Sequence, residues 1–189
     1  LPPRTVQLQD LTWTELRDRI HTGTTTIIIP IGGTEQSGPY VALGKHNARA
    51  AWLSRKIAEG LGNALVAPVI AYVPEGSYAP PSGHMRFPGT ITVPDAAFEQ
   101  VLESAANSFA VHGFRNIGLL GDHGGYQKDL QRVVARLNKR WAGSAAHAFA
   151  PPEYYAASSV GYDKILRQRG FRDSEIGTHA GLADTSLQL

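Results

Sequence analysis

Two short apolar runs, each ending in a polar cluster, constrain this chain more than any other feature. Thr24 to Ile31 is rich in β-branched residues and is closed by Pro30 and Gly32-Gly33, and Asn116 to Leu120 runs apolar into Gly121-Asp122-His123-Gly124-Gly125. A brief apolar run bounded by glycine reads as a buried strand, and such strands belong in a sheet covered by helices on both faces. In open parallel sheets ligands collect beyond the carboxyl ends of the strands. The clusters Gly33-Thr34-Glu35-Gln36 and Gly121 to Gly125 are therefore expected to face one cleft.

The rest of the pattern alternates between helix and strand. Leu11, Leu16 and Ile20 recur at near-helical spacing behind Thr12, with Glu15 as a capping partner, which predicts a short leading helix. Ala48 to Leu61 is amphipathic and ends at Gly60 and Gly62, and Ala64 to Val73 reads as a second strand. Pro74 to Gly89 is dense in Pro, Gly and Ser and reads as a long loop of a length usually reserved for function. Thr90 to Val93 is expected to be a short strand, Asp95 to cap a helix from Ala96 to His112, Tyr126 to Trp141 to be helical, and Ala145 to Phe149 to form a strand. A weak helix from Tyr162 to Arg169 leads into a polar loop with His179 and Asp184. The pattern predicts an α/β fold, a three-layer sandwich with a largely parallel central sheet, as a single domain over residues 1–189.

Composition removes several classes of function. The 189 residues are 42% hydrophobic, enough for a core, and 18 basic residues against 16 acidic ones are too balanced for a nucleic-acid partner. With no cysteine there is no thiolate chemistry, leaving His, Asp and Glu as the strong metal ligands. The apolar runs are far shorter than the roughly 18 to 20 residues that span a bilayer. A chain beginning Leu1-Pro2-Pro3 without Met reads as cut at its N-terminus, by a signal peptidase or by design of the expressed segment.

Glu35 and His123 at neighbouring strand ends are two legs of a metal site, and His46, on a loop or first helical turn, is the candidate third. Two imidazoles and a carboxylate are a common zinc set. Equally, His123 can cap the helix behind it while Glu35 binds loop amides, and spacing leaves both readings open. Asp122 and Gln127 are candidates to orient His123, though Asp122 is also an ordinary helix N-cap. His21, His112 and His147 read as helix-terminus or surface residues, and Trp13, Trp52 and Trp141 as core or subunit contacts.

Five ordered motifs carry a resemblance. Ile31-Gly32-Gly33-Thr34-Glu35-Gln36-Ser37-Gly38-Pro39-Tyr40, Leu43-Gly44-Lys45-His46-Asn47, Phe87-Pro88-Gly89-Thr90, Gly121-Asp122-His123-Gly124-Gly125, and His179-Ala180-Gly181 with Asp184-Thr185-Ser186 are together similar to those of the creatininase (creatinine amidohydrolase) family. The resemblance implies an α/β sandwich with one or two divalent metals, zinc, manganese or iron, that hydrolyses a non-peptide and often cyclic amide. It also implies a homo-oligomer, commonly a hexamer, acting on a small-molecule amide. The family Glu carries to Glu35 and the strand-end His to His123.

The departures bear on metal count. The family His two residues beyond the Glu is Ser37 here, the family Asp of the Leu-Gly motif is His46, and the His that commonly follows Gly-Pro is Tyr40. A neutral imidazole offers one lone pair and cannot bridge two cations as a carboxylate does, so one ion is expected, held by Glu35, His46 and His123. Asp184 stands where the family has a later Glu and is expected as a fourth ligand, a positioning group or a general base. His179 matches the family His expected to assist proton transfer. His84, with Tyr78 and Arg86, and Ser37 and Tyr40 are candidates for lining the substrate pocket.

A subset of the family that shares Leu43-Gly44-Lys45-His46-Asn47 is similar to secreted proteins, which implies a periplasmic or secreted location. Family members typically continue past Asp184-Thr185-Ser186, so the chain reads as truncated at its C-terminus or unusually short. The expected function is metal-dependent amidohydrolysis through a metal-activated water. The alternatives are a ligand-binding member that has lost the two-metal chemistry and a peptidase-like maturation factor.

Overall fold

A computed structural model of the chain describes residues 5–179 and 181–187, so the Leu1-Pro2-Pro3 start and Ala180 lie outside the described residues. The chain runs α1 (Trp13–His21), β1 (Thr26–Ile31), α2 (Lys45–Leu61), β2 (Ala64–Val66), α3 (Asp95–Val111), β3 (Asn116–Gly121), α4 (Gln127–Arg140) and β4 (His147–Phe149). Short helices follow: α5 (Pro152–Ala156), a π-helical turn (Ala157–Gly161), α6 (Tyr162–Gln168), α7 (Asp173–Ile176) and α8 (Leu182–Ser186).

The sheet order is β2-β1-β3-β4 and every pairing is parallel. From β1 the chain goes to β2 on one side and later to β3 on the other, which makes the gap between β1 and β3 the topological switch point. There Ile31 pairs with Gly121, so the two polar clusters leave the sheet side by side, as expected.

Alternation along the strands splits the core into two faces. Ile27, Ile29, Ile31, Ile117 and Leu119 pack with Phe98, Leu102 and Ala106 of α3 and Leu130, Val133 and Leu137 of α4. Ile28 and Leu120 point the other way, toward Ala58 of α2 and Tyr154 of α5. Helices therefore cover both faces, the three-layer arrangement predicted from sequence, and each fully buried Ile or Leu contributes about 1.5–3 kcal/mol. An apolar groove of about 910 Å³ remains between α2 and the C-terminal helices, with the largely exposed Trp52 on its rim.

α1 begins as predicted: the Thr12 hydroxyl accepts from the Glu15 N–H while the Glu15 carboxylate accepts from the Thr12 N–H. Elsewhere the boundaries move. β2 stops at Val66 rather than Val73, because Pro68 offers no N–H for the ladder. The chain then only shadows β1, with the Ile70 N–H donating to Pro30 O and its carbonyl accepting from Gly32 N–H, both at 2.9 Å. The strand expected over Thr90 to Val93 reduces to one bridge between Val73 and Thr92. α2 starts at Lys45, three residues before the predicted Ala48. Pro94 precedes α3, so Asp95 lies inside the first turn, where its charge favours the helix dipole without capping it. Trp141 packs against the core and its indole N–H donates to Asn107 Oδ1 at 3.0 Å. No described helix is long and apolar enough to cross a membrane.

Candidate metal centre

At the end of β1 the double glycine clears space for two incoming side chains. A Cβ on Gly32 would overlap Asn47, whose Oδ1 accepts from the Gly33 N–H at 2.9 Å. A Cβ on Gly33 would come within 2.8 Å of Glu75 Oε1. Glu35 then enters the interior with no exposed surface, its own N–H donating to Leu43 O at 3.1 Å. Glu35 Oε2 lies 3.0 Å from His84 Nδ1 and 3.5 Å from His123 Nε2, and His123 Nε2 is 3.8 Å from Glu75 Oε2. One atom from each of Glu35, Glu75, His84 and His123 lies within 4.8 Å of the other three.

The two strands and the long loop each supply part of this quartet. Glu35 follows β1 and His123 follows β3, while Glu75 and His84 come from the Pro74–Gly89 loop. Thr92 Oγ1 accepts from the Glu75 N–H at 2.9 Å, and Gln36 brackets His84 Nδ1 with its carbonyl and its amide nitrogen, each at 3.2 Å.

Burial opposes charge on Glu35, yet the hydrogen bond from His46 and the fields of His123, His46 and His84 outweigh it and hold the carboxyl at about 2. Burial and the neighbouring Glu35 charge push Glu75 up to about 9. Burial above all, reinforced by His46 and His84 and opposed by Glu35, brings His123 down to about 4. Apart from the contact between the two carboxyl groups themselves, neither oxygen of Glu75 has a hydrogen-bond partner, and neither does Glu35 Oε2. Buried carboxyl oxygens without partners are costly, and two carboxyl groups facing two imidazoles match the donor set of a zinc, manganese or iron ion. The Gly125 N–H donates to His123 Nδ1 at 3.2 Å, which puts the proton of the neutral ring on Nε2, so holding an ion at Nε2 would require that proton to move and this bond to break.

The quartet shares Glu35 and His123 with the set predicted from sequence and has Glu75 and His84 in place of His46 and Asp184. His46 touches the centre from behind. Its Nδ1 is 2.7 Å from Asp122 Oδ2 and its Nε2 2.9 Å from Glu35 Oε1, so both ring nitrogens are engaged and no lone pair is left for an ion while these bonds hold. Burial alone would lower its pKa, but the bonds to Asp122 and Glu35 and the Asp122 charge raise it. Asp122 orients His46 rather than His123, and it accepts from Arg49 Nε at 2.9 and 3.0 Å and from the Tyr154 hydroxyl at 3.2 Å. It is not the N-cap of α4, which follows Tyr126. Gln127 fixes the backbone around His123 by donating to Gly121 O at 2.9 Å and His123 O at 2.8 Å.

Asp184 pairs with Lys45 Nζ at 2.8 Å, and His179 Nδ1 lies 3.7 Å from the same Oδ2. The His179 ring is 5.1 Å from that of His84. A cavity of about 350 Å³ beside the quartet is lined by Lys45, His46, His123, Tyr155, His179 and Asp184. Ser37 is buried with its hydroxyl unpartnered, whereas Tyr40 and Tyr78 are 90% and 67% exposed and Arg86 is exposed. Sequence reasoning missed two residues of this centre, Glu75 and Lys45. Glu75 had one usable signal, as the only carboxylate in the Pro74–Gly89 loop.

A carboxylate-imidazole quartet at the switch point of a parallel sheet defines this as an α/β protein with a candidate divalent-metal centre. The family model for creatinine amidohydrolase (Creatininase) matches residues 9–189, and the chain belongs to that family. It is 26% identical over 193 residues to creatinine amidohydrolase of Pseudomonas putida, covering 98% of this chain and 72% of that protein. It is 32% identical over 124 residues to a mycofactocin precursor peptide peptidase of Mycolicibacterium smegmatis, covering 63% of this chain and 47% of the peptidase. A solved structure named Creatininase Mn shares the fold, with a TM-score of 0.79 at 24% identity over 97% of this chain and 71% of that one.

Proposed function

We propose that the chain is a metal-dependent amidohydrolase that cleaves a non-peptide C–N bond, cyclic amides included, with one divalent ion held by Glu35, Glu75, His84 and His123. The observation that carries this reading is the quartet itself, two buried carboxyl groups facing two half-buried imidazoles, with Glu35 Oε2 and both oxygens of Glu75 finding no hydrogen-bond partner outside the pair. Zinc is the first expectation from the mixed oxygen and nitrogen donors, with manganese and iron as alternatives. When bound, the ion supplies Lewis acidity for the amide carbonyl and acidifies water.

The chain's own residues do the rest. Glu35 stays ionised, with His46 and Asp122 behind it fixing its orientation. The cavity admits a small molecule against His123 and His179. His179, half exposed at the cavity wall, delivers a proton to the leaving nitrogen, and Asp184 positions it. The names of the relatives, one an amidohydrolase and one a peptide peptidase, set the range of bonds to test.

The test is metal content by mass spectrometry together with turnover on lactams, cyclic ureas, formamides and short peptides. Glu35→Gln, His84→Ala and His123→Ala should each lose metal and activity, Glu75→Gln should bind the ion more weakly through the three remaining ligands and lose activity, and His179→Ala should keep the metal and lose turnover. Full metal occupancy surviving both Glu35→Gln and His123→Ala would overturn the reading. Tight ligand binding without turnover in the metal-loaded protein would make it a ligand-binding member instead.

A further inference from the structure

Lys45 is the most unusual charge in the molecule. It stands in the first turn of α2 and only 1% of its side chain is exposed, which places it among the largest fully buried side chains. Its ammonium lies 2.8 Å from Asp184 Oδ2 and 3.7 Å from Glu35 Oε1. Burying an ammonium costs several kcal/mol even after relaxation, and a paired buried lysine adds little net stability over an apolar residue of similar volume. Structure alone would be served as well by methionine.

The two oxygens of Glu35 divide the site. Oε2 faces His84 and His123, on the side of the quartet, while Oε1 faces His46 and Lys45. One carboxylate thus turns one oxygen to the candidate metal position and the other to an ammonium, the division a carboxylate makes when it lies between paired metal ions. Here the second position is filled by an ammonium whose other partner is Asp184. Lys45 also lines the 350 Å³ cavity, so its charge acts on whatever binds there.

We propose that Lys45 is a built-in second cation. It does the charge work a second metal ion would do, holding Glu35 and Asp184 in place and favouring negative charge that develops in the cavity. By occupying that position it limits the centre to a single divalent ion. The proposal rests on the metal reading of the quartet.

Zinc titration with dialysis and mass spectrometry tests both, and their failures differ. The wild-type protein should saturate at one ion per chain even in excess zinc. In Lys45→Met, checked for native circular dichroism, removal of the like charge should tighten that ion about tenfold or more. Lys45→Asp, which replaces the ammonium with a ligand, should take up a second ion. Two ions in the wild-type protein would overturn the proposal while leaving the quartet standing, as would one ion whose affinity is unchanged in Lys45→Met. A wild-type protein that binds no divalent ion would overturn the metal reading and the proposal with it. If Lys45→Met fails to fold, Lys45→Asp decides: a folded Lys45→Asp protein that still takes up only one ion in excess zinc would overturn the proposal.

Discussion

Loading a divalent ion into this centre must expel a proton from Glu75. In the metal-free protein burial and the Glu35 charge push that carboxyl up to about 9, so near neutral pH it is protonated, while Glu35 at about 2 is ionised. A metal takes the ionised ligand, so affinity and proton release are linked. On the Glu75 account alone, apparent affinity should rise close to tenfold per pH unit, or about a hundredfold from about pH 6 to about pH 8. Chelator competition across this range measures the slope, and calorimetry in buffers of different ionisation enthalpy counts the protons. The wild-type protein should release about one proton more per ion than Glu75→Gln, because ionisations common to both cancel in the difference. Equal release from the two proteins, each binding the ion, would refute the reasoning. The stability of the metal-free protein carries the same signature. A carboxyl raised from 4.5 to about 9 contributes stability that is complete below 4.5 and is lost as pH climbs through about 9, so metal-free wild type should weaken relative to Glu75→Gln over that window.

Three further outcomes are expected. Gly33→Ala forces a Cβ to within 2.8 Å of Glu75 Oε1 and should lower metal affinity about ten- to a hundredfold with a native far-ultraviolet spectrum. Ile29→Ala, in the middle of the central strand pair and 1% exposed, should cost about 2–5 kcal/mol in urea unfolding. Thr12→Ala removes one half of the capping box of α1 and should cost about 1 kcal/mol by the same measurement.

The sheet was legible because its two central strands carry the strongest local signals. Thr26–Ile31 and Asn116–Gly121 are apolar on both faces, and only a strand between two layers needs that. The edges were less so. Ala64–Val73 has the composition of a strand throughout, but one proline decides where the ladder ends. In the site, Glu35 and His123 were legible because each follows a strand end directly. Glu75 was not, since nothing in a Pro- and Gly-rich loop states where its carboxylate returns, and its approach depends on the missing Cβ of Gly33, some forty residues away. His46 was read as a ligand because imidazole is a ligand type, but Asp122 and Glu35 use both its nitrogens. Lys45 was passed over because a lysine at the end of an expected loop is ordinarily solvated, and the helix was expected to begin only at Ala48.

The pairing of Ile31 with Gly121 has a consequence for how such a centre can change. Glu35 and His123 stand four and two residues beyond the ends of these adjacent, hydrogen-bonded strands, so their separation is set largely by the sheet. Glu75 and His84 ride on a loop that contributes no strand to the sheet. The centre is thus half frame and half fitting. Loop substitutions can exchange ligands, retune the ion or reshape the cavity while the frame keeps its address, and an engineer seeking a new substrate would begin between Pro74 and Gly89.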